Sequence, residues 1–272
     1  MNAYNDLGTL KSRLDITGTS YDADLLAILI AASRQIDQYC NRFFYVDATT
    51  RYYDGSGSPF FLADDLLTVT TFKVDEDGDA TYESTLATTD YHLQPYNDTP
   101  KTWIIISSDS DYGGFASGIK KGIEIAGTFG YGDGKSTTPY TDAGTDLNDA
   151  AMSTTKTTWA VDDGTAFAVG QTILCNSEQA YISAISSNDL TVSRAVNGTT
   201  AAAHSDDSDL YIYQYPEPIE EATLIQSMRW WKRKESAYQD AITNPETGLT
   251  QVYKGLDADV RLIIGQYKRK NI

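Results

Sequence analysis

The feature of the sequence that most constrains its fold is the change in the spacing of apolar residues along the chain. At both ends, apolar residues recur every three or four positions, as they do on one face of a helix. Leu25, Leu29, Ala32, Ile36 and Tyr39 form the clearest such series. Between the ends, apolar residues alternate with polar ones or come in short runs, which indicates strands. The predicted order is therefore helices, strands and helices again.

Two helices are predicted at the beginning of the chain. The first contains four apolar residues at helical spacing: Tyr4, Leu7, Leu10 and Leu14. The second begins near Asp22 or Asp24, either of which can cap it, and ends near Arg42.

Two further helices are predicted at the end of the chain. Pro216 and the acidic residues behind it suit a helix N-terminus, and Leu224, Met228 and Trp231 share one face of that helix. The last element spans 257–267. Its apolar stripe is Leu256, Val260, Ile263, Ile264 and Tyr267, and it is followed by Lys268, Arg269 and Lys270.

The strands fall into two groups separated by residues 130–145, a stretch rich in Gly, Asp, Ser and Thr that predicts a linker. Residues 49–130 predict antiparallel strands, and residues 147–215 predict several short strands of a small barrel or sandwich. We therefore predict an α+β fold. Residues 1–136 and 216–272 form a core of terminal helices packed with an antiparallel β region, and 137–215 form an inserted, small all-β domain.

The charge of the chain is strongly acidic, with 38 Asp and Glu against 21 Lys and Arg and a formal net charge of −17. This balance disfavours a protein whose main task is to wrap nucleic acid. No apolar run reaches the roughly 18 residues that a membrane helix needs, and no secretion signal is evident, so we expect no membrane contact. Cys40 and Cys175 each lie in an apolar pattern and are expected to be buried and reduced.

Motifs for catalysis or for cofactors are weak. Residues 130–136 resemble a phosphate loop, but three residues rather than four separate Gly130 from the Gly134-Lys135 pair. Residues 75–79 resemble a calcium loop with its glycine misplaced, so a solvated turn is favoured. His92 and His204 have no cysteine or carboxylate at ligand spacing. We therefore predict no enzyme activity, no cofactor and no metal.

Trp230 and Trp231 precede Lys232, Arg233 and Lys234. Aromatic rings next to cations occur in grooves that bind single-stranded nucleic acid. The simpler interpretation places Trp231 in the core, with the cations favouring the helix C-terminus. The alternative is contact with a partner protein, because Trp and Arg are frequent interface anchors.

Several segments of the sequence resemble the head–tail connector family of tailed bacteriophages. The resemblance lies in Leu7-x-x-Leu10-Lys-x-Arg13, in Asp22-x-Asp24-Leu-Leu, in Ala32-Ser-Arg-x-Ile36-Asp-x-Tyr39 and in Ile123-Glu-Ile followed by Gly130-Tyr-Gly. In that family Pro-x-x-Ile and a helix come soon after, whereas here residues 133–215 intervene before Pro216. The resemblance covers about residues 4–132 and 216–270.

The intervening segment is similar to a small β-module of phage virion proteins. The similar residues are Val169-Gly-Gln-Thr-Ile, Glu178-x-x-x-Ile182, Leu190-Thr-Val-x-Arg194 and 197–204, which ends at His204. This similarity implies a contact or decorating module without identifying what it contacts.

The family resemblance implies a structural protein at the head–tail junction of the virion, assembled in the host cytoplasm. It would form a ring of about twelve subunits through a heterologous interface. The ring would join the portal protein to downstream neck or tail proteins, and DNA would pass through without sequence-specific binding. The alternative is a virion β-protein that binds a host-surface glycan or decorates the neck. Candidate partner contacts are Trp230, Trp231, Val260, Ile263, Ile264, Tyr267, Lys268, Arg269 and Lys270.

Overall fold

The computed structural model describes residues 1–235, 241–243, 250–252 and 255–269. The described residues contain four α-helices: α1 (Leu7–Arg13), α2 (Asp22–Cys40), α3 (Glu217–Glu235) and α4 (Ala258–Gly265). They form two compact units. Unit 1 comprises residues 1–42, 140–196 and the described part of 200–272, and unit 2 comprises residues 43–139 and 197–199.

Unit 2 contains a six-stranded antiparallel sheet. Its strands are β1 (Asp47–Tyr53), β2 (Phe60–Val74), β3 (Ser84–Thr85), β4 (Tyr91–Gln94), β5 (Lys101–Ile106) and β6 (Ile123–Phe129). The order is β1-β6-β2-β5-β4, with β3 paired to β2. Alternate residues of β6 (Ile123, Ile125 and Phe129) are fully buried, while Glu124 lies on the other face, as the alternation in the sequence predicts.

The second six-stranded sheet lies in unit 1. Its strands are β7 (Tyr140–Asp146), β8 (Thr158–Ala160), β9 (Thr172–Cys175), β10 (Glu178–Ser186), β11 (Asp189–Ser193) and β12 (Asp209–Tyr213), with a 3-10 turn at Gly164–Ala166. The order is β7-β12-β9-β10-β11-β8. Just beyond the two outer strands Leu147 pairs with Val161. The backbone N–H of Asp162 also donates to Asp146 (3.1 Å). The sheet therefore closes on itself as a small barrel around the buried Trp159.

The helices of unit 1 pack on this barrel. Leu10, Leu25 and Leu29 of α1 and α2 share a core with Leu224 of α3 and with Tyr181 of β10. The compact units thus differ from the predicted domains, which joined the helices to residues 43–136, because the apolar helix faces pack on the barrel. Independent folding of 137–215 stays a prediction.

The helix ends differ in detail from the sequence-based expectation. Tyr21 occupies the N-cap position of α2 without a side-chain hydrogen bond, while Asp22 and Asp24 lie in the first turn, where acidic charge favours the helix dipole. The helix ends at Cys40, where Asn41 adopts a left-handed conformation (φ 51°).

Two other regions complete the description. The end of the predicted linker forms β7, because Tyr140 to Asp146 pair along β12. Strands β13 (Ala241–Thr243) and β14 (Thr250–Val252) pair with each other. Within the described residues, no helix has the length and apolar character required to cross a membrane.

Close backbone approach in unit 2 gives a test of the sheet. A Cβ on Gly127 would lie 2.1 Å from the carbonyl oxygen of Thr68, whereas a Cβ on Gly113 would meet no atom within 4 Å. We predict that Gly127→Ala lowers the free energy of unfolding by about 1–3 kcal/mol, because the paired strands must separate. Gly113→Ala, the matched control, should change it by less than about 0.5 kcal/mol. Urea unfolding measures both, and equal effects would contradict the packing described for β6.

Candidate functional site

Helix α4 is fixed to the other helices of unit 1 by polar contacts at both of its ends. At its start, Asp257 pairs with Arg229 of α3, and its backbone N–H donates to Oε1 of Gln226 (3.1 Å). Past its end, the backbone N–H of Arg269 donates to the carbonyl oxygen of Cys40 (2.8 Å). The predicted C-terminal helix is therefore present and is bound to the chain's own α2 and α3.

The apolar stripe of α4 was expected to be open to a partner, and for two of its residues the structure corrects that expectation. Val260 and Ile264 are fully buried. The reason is that α4 packs against α3 and α2, which supply the apolar surface that an isolated helix lacks.

The remaining predicted contact residues of α4 keep some exposure. Ile263, Tyr267 and Arg269 are half-buried, while Lys268 is exposed with its Nζ 5.3 Å from the ring centroid of Tyr39. Lys270 lies outside the described residues. Partner contact through these residues stays a prediction.

The two tryptophans of α3 differ in their surroundings. Trp231 packs against the helical core and meets the ring of Tyr21 edge-on, with 5.2 Å between centroids. Nζ of Lys234 lies 4.8 Å from the Trp231 ring and 2.8 Å from Oδ2 of Asp24. Half-buried Trp231 therefore contacts the start of α2, and its role in partner contact stays a prediction. Trp230 is half-buried and stays a candidate contact.

An apolar residue that the sequence analysis did not single out is exposed on α4. Leu262 is 82% exposed and lies between exposed Arg261 and half-buried Ile263. The sequence indicates this exposure, because Leu262 lies between Val260 and Ile264 and off the apolar stripe.

The barrel contains a buried charged network. Oε1 of Glu178 accepts from Nε of Arg194 (2.8 Å), and its Oε2 accepts from Nη2 of Arg194 (2.5 Å) and from Nε2 of His204 (2.8 Å). Backbone N–H groups of Ala195 and Ala202 also donate to this carboxylate. All three charged or polar side chains are nearly inaccessible to solvent. The carboxylate thus has partners at both oxygens, as a buried charge requires.

The hydrogen bonds of this network keep the carboxyl group of Glu178 ionised. Burial by itself raises the pKa of Glu178, but hydrogen bonds from Arg194, the backbone and His204 outweigh it and lower the pKa to about 2. The amide nitrogen of Asn176 lies 3.1 Å from Nδ1 of His204 and donates to it, which assigns the ring proton to Nε2. The guanidinium of Arg194 also donates to backbone carbonyls of Ser153, Lys156 and Ala202. The arrangement clamps chain segments together and leaves no open position for a substrate.

Glu178, Arg194 and His204 all belong to the segments that resemble the virion β-module. The sequence analysis found no carboxylate at ligand spacing from His204, and the structure corrects this, since the barrel brings Glu178 to it from 26 residues away.

The described residues of unit 1 form an acidic cavity and an apolar groove. The first, about 410 Å³, is lined by four carboxylates (Asp6, Glu217, Glu220 and Glu221). Arg13 forms two hydrogen bonds to Glu221, of 3.1 and 2.7 Å. Burial, helped by the charges of Glu217 and Asp6, raises the pKa of Glu220 to about 7. The second, about 720 Å³, is an apolar groove lined mainly by Leu7, Ile16, Phe167, Val169 and Ile185.

Unit 2 has two further features. Asp75, Asp77, Asp79 and Glu83 bring carboxylate oxygens within 4.8 Å of one another, a donor set that suits a hard cation. Both oxygens of Asp75 accept hydrogen bonds within the turn itself, from the N–H groups of Gly78 and Ala80.

On the outer sheet face of unit 2, exposed Phe60 lies 5.7 Å from Trp103, and Tyr96, 63% exposed, lies 6.2 Å from His92.

Comparison with known proteins gave a structural likeness to a phage-like particle. No protein-family model matches the sequence, and no curated protein matches it. Among solved structures, the chain is similar to the neck of an empty GTA particle computed with C6 symmetry. The match covers 99% of this chain and 91% of that chain, with a TM-score of 0.42 and 11% sequence identity. A TM-score below 0.5 does not establish a shared fold, so function is inferred below from the chain's own residues.

The buried network predicts a large loss of stability on substitution. Glu178→Gln leaves the Arg194 charge without its carboxylate, so we expect the free energy of unfolding at pH 7 to fall by about 3–5 kcal/mol. Glu217→Gln, an exposed control with the same change, should cost about 1 kcal/mol or less. Urea unfolding at pH 7 makes the comparison. A loss for Glu178→Gln as small as for the control would contradict the network.

The difference in stability between wild type and Glu178→Gln should depend on pH. Because the folded pKa of Glu178 (about 2) lies below its unfolded value of about 4.3, its contribution is complete above that value and disappears as pH falls toward 2. The stability difference between wild type and Glu178→Gln should therefore be constant from pH 7 to 5 and shrink below pH 4.5. A difference that grows on acidification would contradict the assigned charge.

Proposed function

We propose that this chain is a structural virion protein, a head–tail adaptor that forms a ring between portal and tail and prolongs the DNA channel. The observation that carries the proposal is the packing of helices from both ends of the chain. Leu7, Leu10 and Leu25 lie in segments that resemble the connector family, and they share one core with Leu224 of α3. The N-terminal segments of the resemblance and α3 are thus parts of one folded unit, whereas the segments at Ile123 and Gly130 lie in unit 2.

The charge of the chain supports passage of DNA without capture. A net charge of −17 repels a polyanion, so a channel built from such subunits would let DNA slide. Residues 219–272 carry nine Lys and Arg against seven Asp and Glu, and exposed Lys232 and Lys268 in this segment would instead face protein partners.

We propose that the portal or the downstream neck proteins contact the exposed part of the C-terminal helices. The candidates are Trp230, Ile263, Tyr267, Lys268 and Arg269, with Lys270 outside the described residues. Val260 and Ile264 are buried beneath this surface, and half-buried Trp231 packs against the helical core. We propose no catalytic role for any of them.

A second candidate function is binding of a host-surface glycan. The observation that favours it is the aromatic outer face of unit 2, where Phe60, Trp103 and Tyr96 are exposed or half-exposed. Flat aromatic rings stack on the apolar faces of sugars, and polar groups at the edges of the rings form hydrogen bonds with sugar hydroxyls. This surface lies in unit 2, outside the predicted inserted segment 137–215.

Electron microscopy of the purified protein, alone and mixed with its portal, tests the adaptor proposal. We expect closed rings or a collar added to the portal. Monomers that never join the portal, together with glycan-array binding that is lost in Trp103→Ala, would favour the second function.

A charge reversal tests the contact surface. Lys268→Glu should weaken collar formation on the portal about two- to fivefold, since an exposed charge pair contributes up to about 1 kcal/mol. Lys135→Glu makes the same charge change at an exposed position of unit 2 and should leave binding unchanged. Sedimentation of portal mixtures measures both, and equal behaviour of the two variants would remove Lys268 from the interface.

A further inference from the structure

A short segment at the start of the chain lies buried between helix α2 and the barrel. We call residues 2–6 the strap, and within it Asn2 and Tyr4 are 1% and 0% exposed. The backbone N–H of Tyr4 donates to Oγ of Ser33 in α2 (2.9 Å). On the barrel side, Oδ1 of Asn2 accepts from the hydroxyl of Thr172 in β9 (3.0 Å). The strap is neither helix nor strand, so it can leave without breaking a helix or a sheet.

A carboxyl group of α2 lies beneath the strap. Oδ1 of Asp37 accepts from the hydroxyl of Tyr4 (2.5 Å), and Oδ2 lies 3.1 Å from a guanidinium nitrogen of Arg34. Two more titratable groups face it, the thiol of Cys40 in α2 and the phenol of Tyr215, whose ring packs on that of Tyr4. Burial raises the pKa of Asp37 to about 7, because the attraction of Arg34 and the hydrogen bond from Tyr4 do not offset it.

A second carboxyl group, that of Glu220 in α3, lies near the other end of the strap. It lines the acidic cavity together with Asp6, the last residue of the strap. The negative charges of Glu217 and Asp6 face it, while the cation of the cavity lining, Arg13, is bound to Glu221. The barrel contributes no charged residue to the described lining. Each end of the strap therefore has a carboxyl group that no cation fully compensates.

We propose that residues 2–6 form a pH-sensitive strap, which stays seated in acid and leaves more often as the carboxyl groups of Asp37 and Glu220 ionise. Departure of the strap opens both groups to water and moves Asp6 away from Glu220. The open state therefore favours the charged forms, which burial penalises in the closed state. The proposal goes beyond the adaptor function and does not depend on it.

The direction of the pH effect follows from the protons that each state binds. With the strap seated, both carboxyl groups have a pKa of about 7. Exposed Asp and Glu groups have pKa values of about 3.9 and 4.3. The closed state therefore binds more protons between about pH 4 and 7, and its advantage is lost as pH rises through this range. Each group changes the opening equilibrium by up to about tenfold per pH unit, and the equilibrium is constant well above pH 7.

Hydrogen exchange of the full chain, measured by NMR as protection factors of single amides, tests the proposal. Protection factors exclude the intrinsic pH dependence of the exchange reaction. The reporter is the amide of Tyr4, and the reference is the amide of Val192, which donates to the carbonyl oxygen of Thr157 in the barrel (2.8 Å). We expect the Tyr4 amide to be at least about tenfold less protected than the Val192 amide at every pH, as for a local opening. Its protection should also fall at least about tenfold from pH 5 to 7.5.

Two results in the wild-type protein would overturn the proposal. Equal protection of the Tyr4 and Val192 amides would show that the strap leaves only when the whole unit unfolds. Protection of the Tyr4 amide that is constant or rises from pH 5 to 7.5 would show that ionisation does not release the strap. Both results need no variant, so the test stands even if a substitution prevents folding.

Neutral variants assign the pH dependence to the two carboxyl groups. Asp37→Asn with Glu220→Gln imitates the protonated forms, so protection of the Tyr4 amide should change less than about threefold from pH 5 to 7.5. Asp189→Asn, an exposed carboxyl group of β11 outside the strap and the cavity, is the matched control and should keep the wild-type profile. A tenfold fall that persists in the double variant would contradict the assignment and overturn the proposal.

Discussion

The packing of Leu10, Leu25 and Leu29 on Leu224 and Tyr181 is the interaction on which the rest of unit 1 depends. It joins helices from both ends of the chain to one strand of the barrel, and each fully buried leucine contributes about 1.5–3 kcal/mol. Because α3 is held there, its Gln226 and Arg229 are in place to hold the start of α4. The direction in which α4 presents Leu262 therefore follows from a core formed by residues that lie far apart in the sequence.

The buried network of Glu178 is a second constraint, and it acts inside the barrel. An apolar core of this size tolerates many substitutions of similar volume, whereas a buried carboxylate requires particular donors in particular places. Arg194 and His204 supply them, and the guanidinium also bonds carbonyl groups of neighbouring loops. The network thereby specifies one arrangement of these loops. We assign it a structural role, since each polar atom of the carboxylate is already engaged.

Apolar spacing in the sequence predicted the helices and most strands, because a 3.6-residue or two-residue period is a local property. The spacing also predicted that one face of α4 must be buried. It did not predict which surface would cover that face, and Val260 and Ile264 pack on the chain's own helices. Contacts over long sequence separations had no such signal. The distance from Glu178 to His204 and the packing of the helices on the barrel depend on the closed topology. The edge strand β7 was missed because its Gly, Asp and Thr residues are typical of a linker.

We propose that both units of this chain serve the assembly of a virion. The central claim is the position of this chain in a ring at the head–tail junction. The most direct test is cryo-electron microscopy of the intact particle, with density at the junction fitted by the two units separately. We expect a closed ring of this chain below the portal. Density for this chain at a tail tip or fibre, and none at the junction, would contradict it.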